Sequence, residues 1–217
     1  MLDENTNTGG SKYELTKNYF NAVADADGYP YGIPYVEEMV GDIVSSFDGL
    51  FSVGGSVAFP VDWYATGHAT PYSTSSRTTV EIALMKAFLD HDKLVLGACN
   101  GMQMLGAIHD CKLRSDVESG HRNTTHSVQI APGTILGQIV GVTSLDVNSR
   151  HREAIAEVSH IVKVSASGAD GIVEALEIPH RRFALGYQWH QEDFWNVKHP
   201  GNPIFSAFIT ACRAGKG

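Results

Sequence analysis

Cys99 is the residue of this chain best placed for nucleophilic chemistry. It sits in Leu94-Val95-Leu96-Gly97-Ala98-Cys99-Asn100-Gly101-Met102-Gln103. The apolar run over 93–98 reads as a buried strand, and 101–108 reads as a helix that follows at once. A Gly-x-Cys-x-Gly between strand and helix is the setting of a nucleophile elbow, where a sharp turn lifts the reactive side chain above the sheet. Gly97 and Gly101 remove side chains where strand and helix pack closely. The helix N-terminus favours negative charge, on a thiolate or on a developing oxyanion. The backbone N–H of Asn100 falls where an oxyanion hole needs a donor.

A thiol of this kind needs a base and a group that orients the base. The second chemical segment is Phe183-Ala184-Leu185-Gly186-Tyr187-Gln188-Trp189-His190-Gln191-Glu192. Its first half reads as a strand. Residues two apart share a face in extended chain, so His190 and Glu192 can project together at the strand's end. The carboxylate would fix the imidazole tautomer and leave the other ring nitrogen for Cys99. A lone His-x-Glu is usually a surface pair, and the apolar strand and Trp189 before it argue for a buried one.

The elements that must position these groups follow from periodicity. Residues 13–26 carry Leu15, Tyr19, Val23 and Ala26 at helical spacing, and Gly28 and Pro30 stop that helix. Residues 35–46 read as a second helix. Residues 48–53 read as a buried strand that ends at Gly54-Gly55. Residues 56–76 read as loop, 78–91 as a helix, and 203–213 as a closing helix. Short β-like runs over 127–130, 147–148, 161–165, 172–176 and 183–187 fill the second half. Strands alternating with helices imply a mainly parallel sheet in an α/β fold, with a small antiparallel extension.

The two chemical segments resemble class I glutamine amidotransferases, and especially the γ-glutamyl-γ-aminobutyrate hydrolase branch. That branch carries Gly-x-Cys-x-Gly-x-Gln after a strand and Gln-Trp-His-Pro-Glu near the C-terminus. Four further segments agree in order. Val53-Gly54-Gly55-Ser56-Val57 resembles the family's glycine loop. Arg77 with Glu81 resembles its Arg-Asp-x-x-Glu helix start. His126-Ser127-Val128 resembles its His-x-Val strand, and Val147-Asn148-Ser149-Arg150-His151 its substrate-side segment.

The resemblance implies a flavodoxin-like three-layer sandwich over one domain, 1–217. It implies a Cys99-His190-Glu192 triad with oxyanion donors at Gly55 and Asn100. It also implies substrate contacts at Gly54, Gln103, Asn148, Ser149 and His151. The implied substrate is a small γ-glutamyl compound, cleaved without metal or organic cofactor. A glutaminase subunit that feeds ammonia to a synthetase partner is the alternative. A binding or regulatory protein on the same fold is a third reading.

Four departures stand out. The family's first strand has no counterpart, because residues 1–12 are polar and read as irregular. The gap in the sheet allows a homodimer. Asn100 stands where the hydrolase branch usually has Arg, which could pair with a substrate carboxylate, and Asn cannot supply that charge. Gln191 replaces the usual Pro, and Ser56 replaces a glycine.

Composition bounds the rest. The 217 residues can bury a sizeable core. A net charge of −8 with scattered Lys and Arg argues against nucleic acid. No apolar run reaches the ~20 residues of a membrane span, and no signal peptide is visible. The expected setting is a reduced cytoplasm. The three cysteines match no zinc pattern, no metal set is expected among the ten histidines, and His121, His160, His180 and His199 read as surface residues.

Overall fold

The computed structural model describes residues 3–4, 12–55, 57–70, 74–117 and 119–215. In chain order the strands and helices are β1 (Asp3–Glu4), β2 (Tyr13–Glu14), α1 (Lys17–Asp25), α2 (Val40–Ser46), β3 (Gly49–Ser52), α3 (Ser76–Asp90), β4 (Leu94–Ala98), α4 (Asn100–Ile108) and β5 (Lys112–Arg114). Then come β6 (Arg122–Ile130), α5 (Ile135–Val140), β7 (Ser144–Arg150), β8 (Ala154–Glu157), β9 (Lys163–Gly168), β10 (Val173–Glu177), β11 (Ala184–Tyr187) and α6 (Pro203–Ala214).

A seven-stranded sheet in the order β3-β4-β11-β10-β9-β6-β7 forms the middle layer. β3, β4 and β11 are parallel. β10, β9, β6 and β7 continue the sheet antiparallel. β5 and β8 form a separate pair. The parallel part is the one that matters for chemistry, because its strands all end on the same rim of the sheet.

The β4 side chains show how the three layers arise. Leu94, Leu96 and Ala98 pack into one apolar cluster with α1, α5 and α6 residues. Val95 points the other way, into a cluster with α2, α3 and α4 residues. This is the period-2 alternation of a strand buried on both faces. Helix α3 starts where Ser75 Oγ accepts from Thr78 N–H at 3.2 Å, an N-cap that satisfies one of the helix's free donors. Its Val80, Leu84, Met85, Phe88 and Leu89 are buried.

Several boundaries differ from those read off the sequence. The first helix starts at Lys17, because Tyr13–Glu14 pairs instead with Asp3–Glu4 as a short antiparallel ribbon. Part of the N-terminal stretch read as irregular is therefore β-paired, and residues 5–11 lie outside the described residues. The second helix begins only at Val40, after a single 3-10 turn over Glu37–Met39. Helix α5 lies between two of the short β-like runs, where the sequence reading placed no helix. Its signals were present: Thr134 Oγ1 caps it by accepting from Gly137 N–H at 3.0 Å, and Gly141 ends it at φ 66.

The elbow glycines are set by contact. A methyl group on Gly97 would lie 2.6 Å from the Gly101 carbonyl, and one on Gly101 would lie 2.3 Å from the Ser52 carbonyl oxygen. β3, β4 and α4 therefore touch backbone to backbone. We expect Gly101→Ala to cost at least ~1–3 kcal/mol, the usual range for overpacking. Urea unfolding at constant m-value checks this.

Candidate functional site

The site lies where β3, β4 and β11 end. Cys99 follows β4 directly and has φ 52 and ψ −107. A non-glycine residue at positive φ is uncommon and needs support around it. Here the Cys99 N–H donates to the Tyr187 carbonyl at 2.8 Å, and the Cys99 carbonyl accepts from Met102 N–H at 3.1 Å. The strand thus hands over to α4 within one residue. Asn100 N–H, at the first position of α4, has no intrahelical acceptor.

The glycine loop after β3 is held from below. Arg77 and Glu81 are both buried and paired, with Nε to Oε2 at 3.2 Å. The Arg77 guanidinium also donates to the carbonyls of Val53 and Gly54, each at 3.3 Å. Glu81 accepts from Ser52 Oγ at 2.8 Å. With the loop carbonyls tied inward, the Gly55 N–H faces the elbow. It donates to Asn100 Oδ1 at 2.9 Å. That oxygen lies 3.9 Å from Cys99 Sγ. Ser56 lies outside the described residues.

His190 follows β11 and meets Cys99 across Gly54. A methyl group on Gly54 would stand 2.9 Å from His190 Cε1 and 3.2 Å from Cys99 Cβ. His190 Nδ1 donates to Glu192 Oε1 at 2.7 Å, and the Glu192 side chain is buried. Burial alone pulls the imidazole pKa down. Hydrogen bonds to the Cys99 sulfur and the Glu192 carboxylate outweigh burial and push it up to about 10.

Two residues that the sequence reading did not place at His190 hold it in position. Tyr19 of α1 sets its hydroxyl 3.3 Å from His190 Nδ1, and burial holds that phenol far above its ordinary range. Tyr19 had been read only as one apolar position of a helix. Asn148 of β7 clamps the histidine backbone, accepting from His190 N–H at 2.9 Å and donating to His190 O at 3.2 Å. Its side chain serves the scaffold, as does that of Ser149, whose Oγ donates to the His121 carbonyl at 2.8 Å. Gln103 is fully buried and donates to Glu153 O at 2.8 Å and Gln188 Oε1 at 3.0 Å. It also accepts from Asn100 Nδ2 at 3.1 Å and so steadies the elbow residue.

A cavity of about 840 Å³ opens beside Cys99. Its walls carry Gly55, Asn100, Gln103, Arg122, Arg152 and Glu153 among others. His151 also lines it, although its ring is buried and turned toward His121 and Glu174. A second cleft of about 510 Å³ opens on the other side of Gly54 and Gly55, against Tyr19, His190 and Glu192. Burial raises the Cys111 thiol pKa, which disfavours its thiolate. Among the described residues, no helix is long and apolar enough to cross a membrane.

The parallel strands, the elbow and the paired His190 and Glu192 define an α/β chain of the glutamine amidotransferase type. Comparison with known proteins gives the family. The peptidase C26 model matches residues 2–192, and the chain belongs to that family. It is similar to the gamma-glutamyl-gamma-aminobutyrate hydrolase PuuD of Escherichia coli K12, with 27% identity over 98% of this chain and 92% of that one. It is similar also to protein NtpR of Enterococcus hirae, with 28% identity over 89% and 87% of the two chains. In fold it is similar to the glutaminase domain of Trypanosoma brucei CTPS with bound acivicin. That match has TM-score 0.65 and 17% identity, over 91% of this chain and 89% of that one.

The charge on His190 depends on its carboxylate partner. With a pKa near 10, the ring is protonated below that pH and loses its proton above it. Glu192→Gln removes the negative charge that favours the imidazolium, so the pKa must fall. An NMR titration of the His190 ring is expected to show its midpoint move to lower pH in that variant. An unchanged midpoint would show that Glu192 does not set the charge.

Proposed function

We propose that the chain is a cysteine-dependent hydrolase that cleaves the γ-glutamyl amide bond of a small γ-glutamyl compound through a thioester. The observation that carries this reading is the strained turn at Cys99, with the side chains of Cys99 and His190 both reaching Gly54 and His190 already bonded to Glu192. A thiol against an imidazole that a buried carboxylate orients is an activated nucleophile.

In this reading Cys99 Sγ, as thiolate, attacks the γ-carbonyl carbon. The carbonyl oxygen takes up the negative charge and is met by the N–H groups of Gly55 and Asn100. The C–N bond breaks and protonated His190 gives its proton to the departing amine. Neutral His190 then takes a proton from water, whose oxygen attacks the thioester. The C–S bond breaks, glutamate leaves, and thiolate and imidazolium are restored. Asn148 and Tyr19 are positioning residues that hold the ring. Arg122 and Arg152 on the cavity wall give the glutamyl carboxylate a cationic environment. Gly54 has no side chain to fill the space beside His190 and Cys99. The hydrolase relatives at 26–27% identity support the class of substrate and leave the amine to experiment.

Asn100 Oδ1 stands in the place of a substrate oxygen, since it accepts from the Gly55 N–H beside Cys99 Sγ. Substrate must displace it. Removing the competitor saves about one hydrogen bond, ~1 kcal/mol, or about fivefold in rate constant. Asn100→Ala is therefore expected to raise kcat/KM by about that factor; a fall would show that Asn100 aids turnover directly.

A panel of γ-glutamyl amides with different amines, glutamine included, tests the reaction. Release of glutamate is expected from at least one, with a drop of at least ~1,000-fold in Cys99→Ala. Circular dichroism should show that this variant keeps its fold. Turnover that survives the substitution would refute the assignment. Turnover of glutamine alone, rising when a synthetase is added, would favour the ammonia-supplying reading.

A further inference from the structure

Behind the wall of the Cys99 cavity lies a second cluster of ionisable side chains that the reaction does not use. His121, just before β6, His126 on β6 and His151 after β7 each bring a ring nitrogen to Glu174 Oε1 on β10. His121 was read from sequence as a surface residue, and it is buried. Glu174 is completely buried and its Oε2 has no hydrogen-bond partner. Among the described residues, His121, His126 and Glu174 are the only group of three metal-ligating side chains found this close, with one ligand atom from each within 4.8 Å of the others.

Hydrogen-bond accounting shows what the cluster lacks. His121 Nε2 lies 2.7 Å from the Asp170 carboxylate, which only accepts, so this nitrogen carries a proton. His151 Nδ1 lies 3.0 Å from the Glu153 carbonyl oxygen, so it too carries a proton. In the neutral rings this leaves two bare lone pairs, His121 Nδ1 and His151 Nε2, only 3.1 Å apart. Both also face Glu174 Oε1, at 3.4 and 3.6 Å. His126 Nε2 approaches the same oxygen at 3.1 Å. Electron pairs gathered like this repel unless a positive charge lies among them. One added proton meets one pair of acceptors, whereas a metal ion meets all four.

We propose that His121, His126, His151 and Glu174 bind a divalent transition-metal ion, Zn²⁺ by ligand type. Three imidazoles and one carboxylate suit zinc and disfavour calcium or magnesium, which take oxygen. Zinc bonds of ~2.0–2.2 Å place tetrahedral ligand atoms about 3.3–3.5 Å apart; four of the contacts here span 3.1 to 3.6 Å, while the atoms of His121, His126 and Glu174 lie within 4.8 Å of one another, so His126 closes in on the other ligands when the ion binds. Asp170 gripping the far nitrogen of His121 is the arrangement that fixes the tautomer of a ligating histidine. Asp170 is half exposed and lines a surface cleft of about 460 Å³, which offers an entry path. The ion would tie the turn before β6 to β10 and to the His151-Glu153 wall of the Cys99 cavity. Its role is to hold that wall in place.

Metal content and Co²⁺ absorption test this on the full chain after treatment with a chelator. One equivalent of Zn²⁺ is expected to bind, and Co²⁺ should give the intense visible bands of a tetrahedral site. Both should vanish in His121→Gln and Glu174→Gln and persist in Cys99→Ala. Asp170→Asn changes only an exposed partner, so it tests the site even where a buried variant misfolds. It is expected to weaken Zn²⁺ binding about 10- to 100-fold. No binding by the unaltered chain would overturn the proposal. So would binding that Cys99→Ala abolishes, or that both His121→Gln and Asp170→Asn leave intact.

Discussion

The architecture around the site depends on one constraint, the positive-φ turn at Cys99. Such a conformation costs a non-glycine residue about 1–3 kcal/mol and persists only where the surroundings fix it. Three backbones supply that fixation. β4 hands its last amide to β11, β3 lies against Gly101, and α4 begins at the next residue. No side chain fits at Gly97 or Gly101 without separating these elements. The same packing places a free helix N-terminus and the glycine loop on either side of the sulfur.

The sheet divides the labour. Its parallel strands deliver the proposed reacting groups, because β3, β4 and β11 end together and carry Gly54, Cys99 and His190 just beyond their ends. Its antiparallel strands deliver support. β7 reaches over to clamp the His190 backbone through Asn148, while β6 and β10 contribute to the histidine cluster behind the cavity. Arg77 and Glu81 on α3 do the same work under the glycine loop. Each reacting group thus has a buried partner on a different element.

What the sequence made legible was local. Gly97, Cys99 and Gly101 span five residues, and His190 and Glu192 span three, so their chemistry could be read from spacing and strand ends. Tyr19 could not, because its partner His190 lies 171 residues away and an amphipathic pattern does not say where a hydroxyl points. Asn148 looked like a substrate residue because its motif is a short polar run. In the structure its side chain is spent on His190. His121, His126, His151 and Glu174 come from four separate segments with no ligand spacing in common, so only the fold brings them together. The α5 cap at Thr134 was present in the sequence and was outweighed by the shortness of the helix, only six residues.

The central claim is that Cys99, alone of the three cysteines, is activated inside a pocket that recognises a glutamyl group. The most direct test is intact-protein mass spectrometry after incubation with a diazo-ketone analogue of glutamine, followed by peptide mapping. The account predicts one adduct per chain, on Cys99, and protection by γ-glutamyl substrate. No adduct, or equal labelling of Cys99, Cys111 and Cys212, would contradict it.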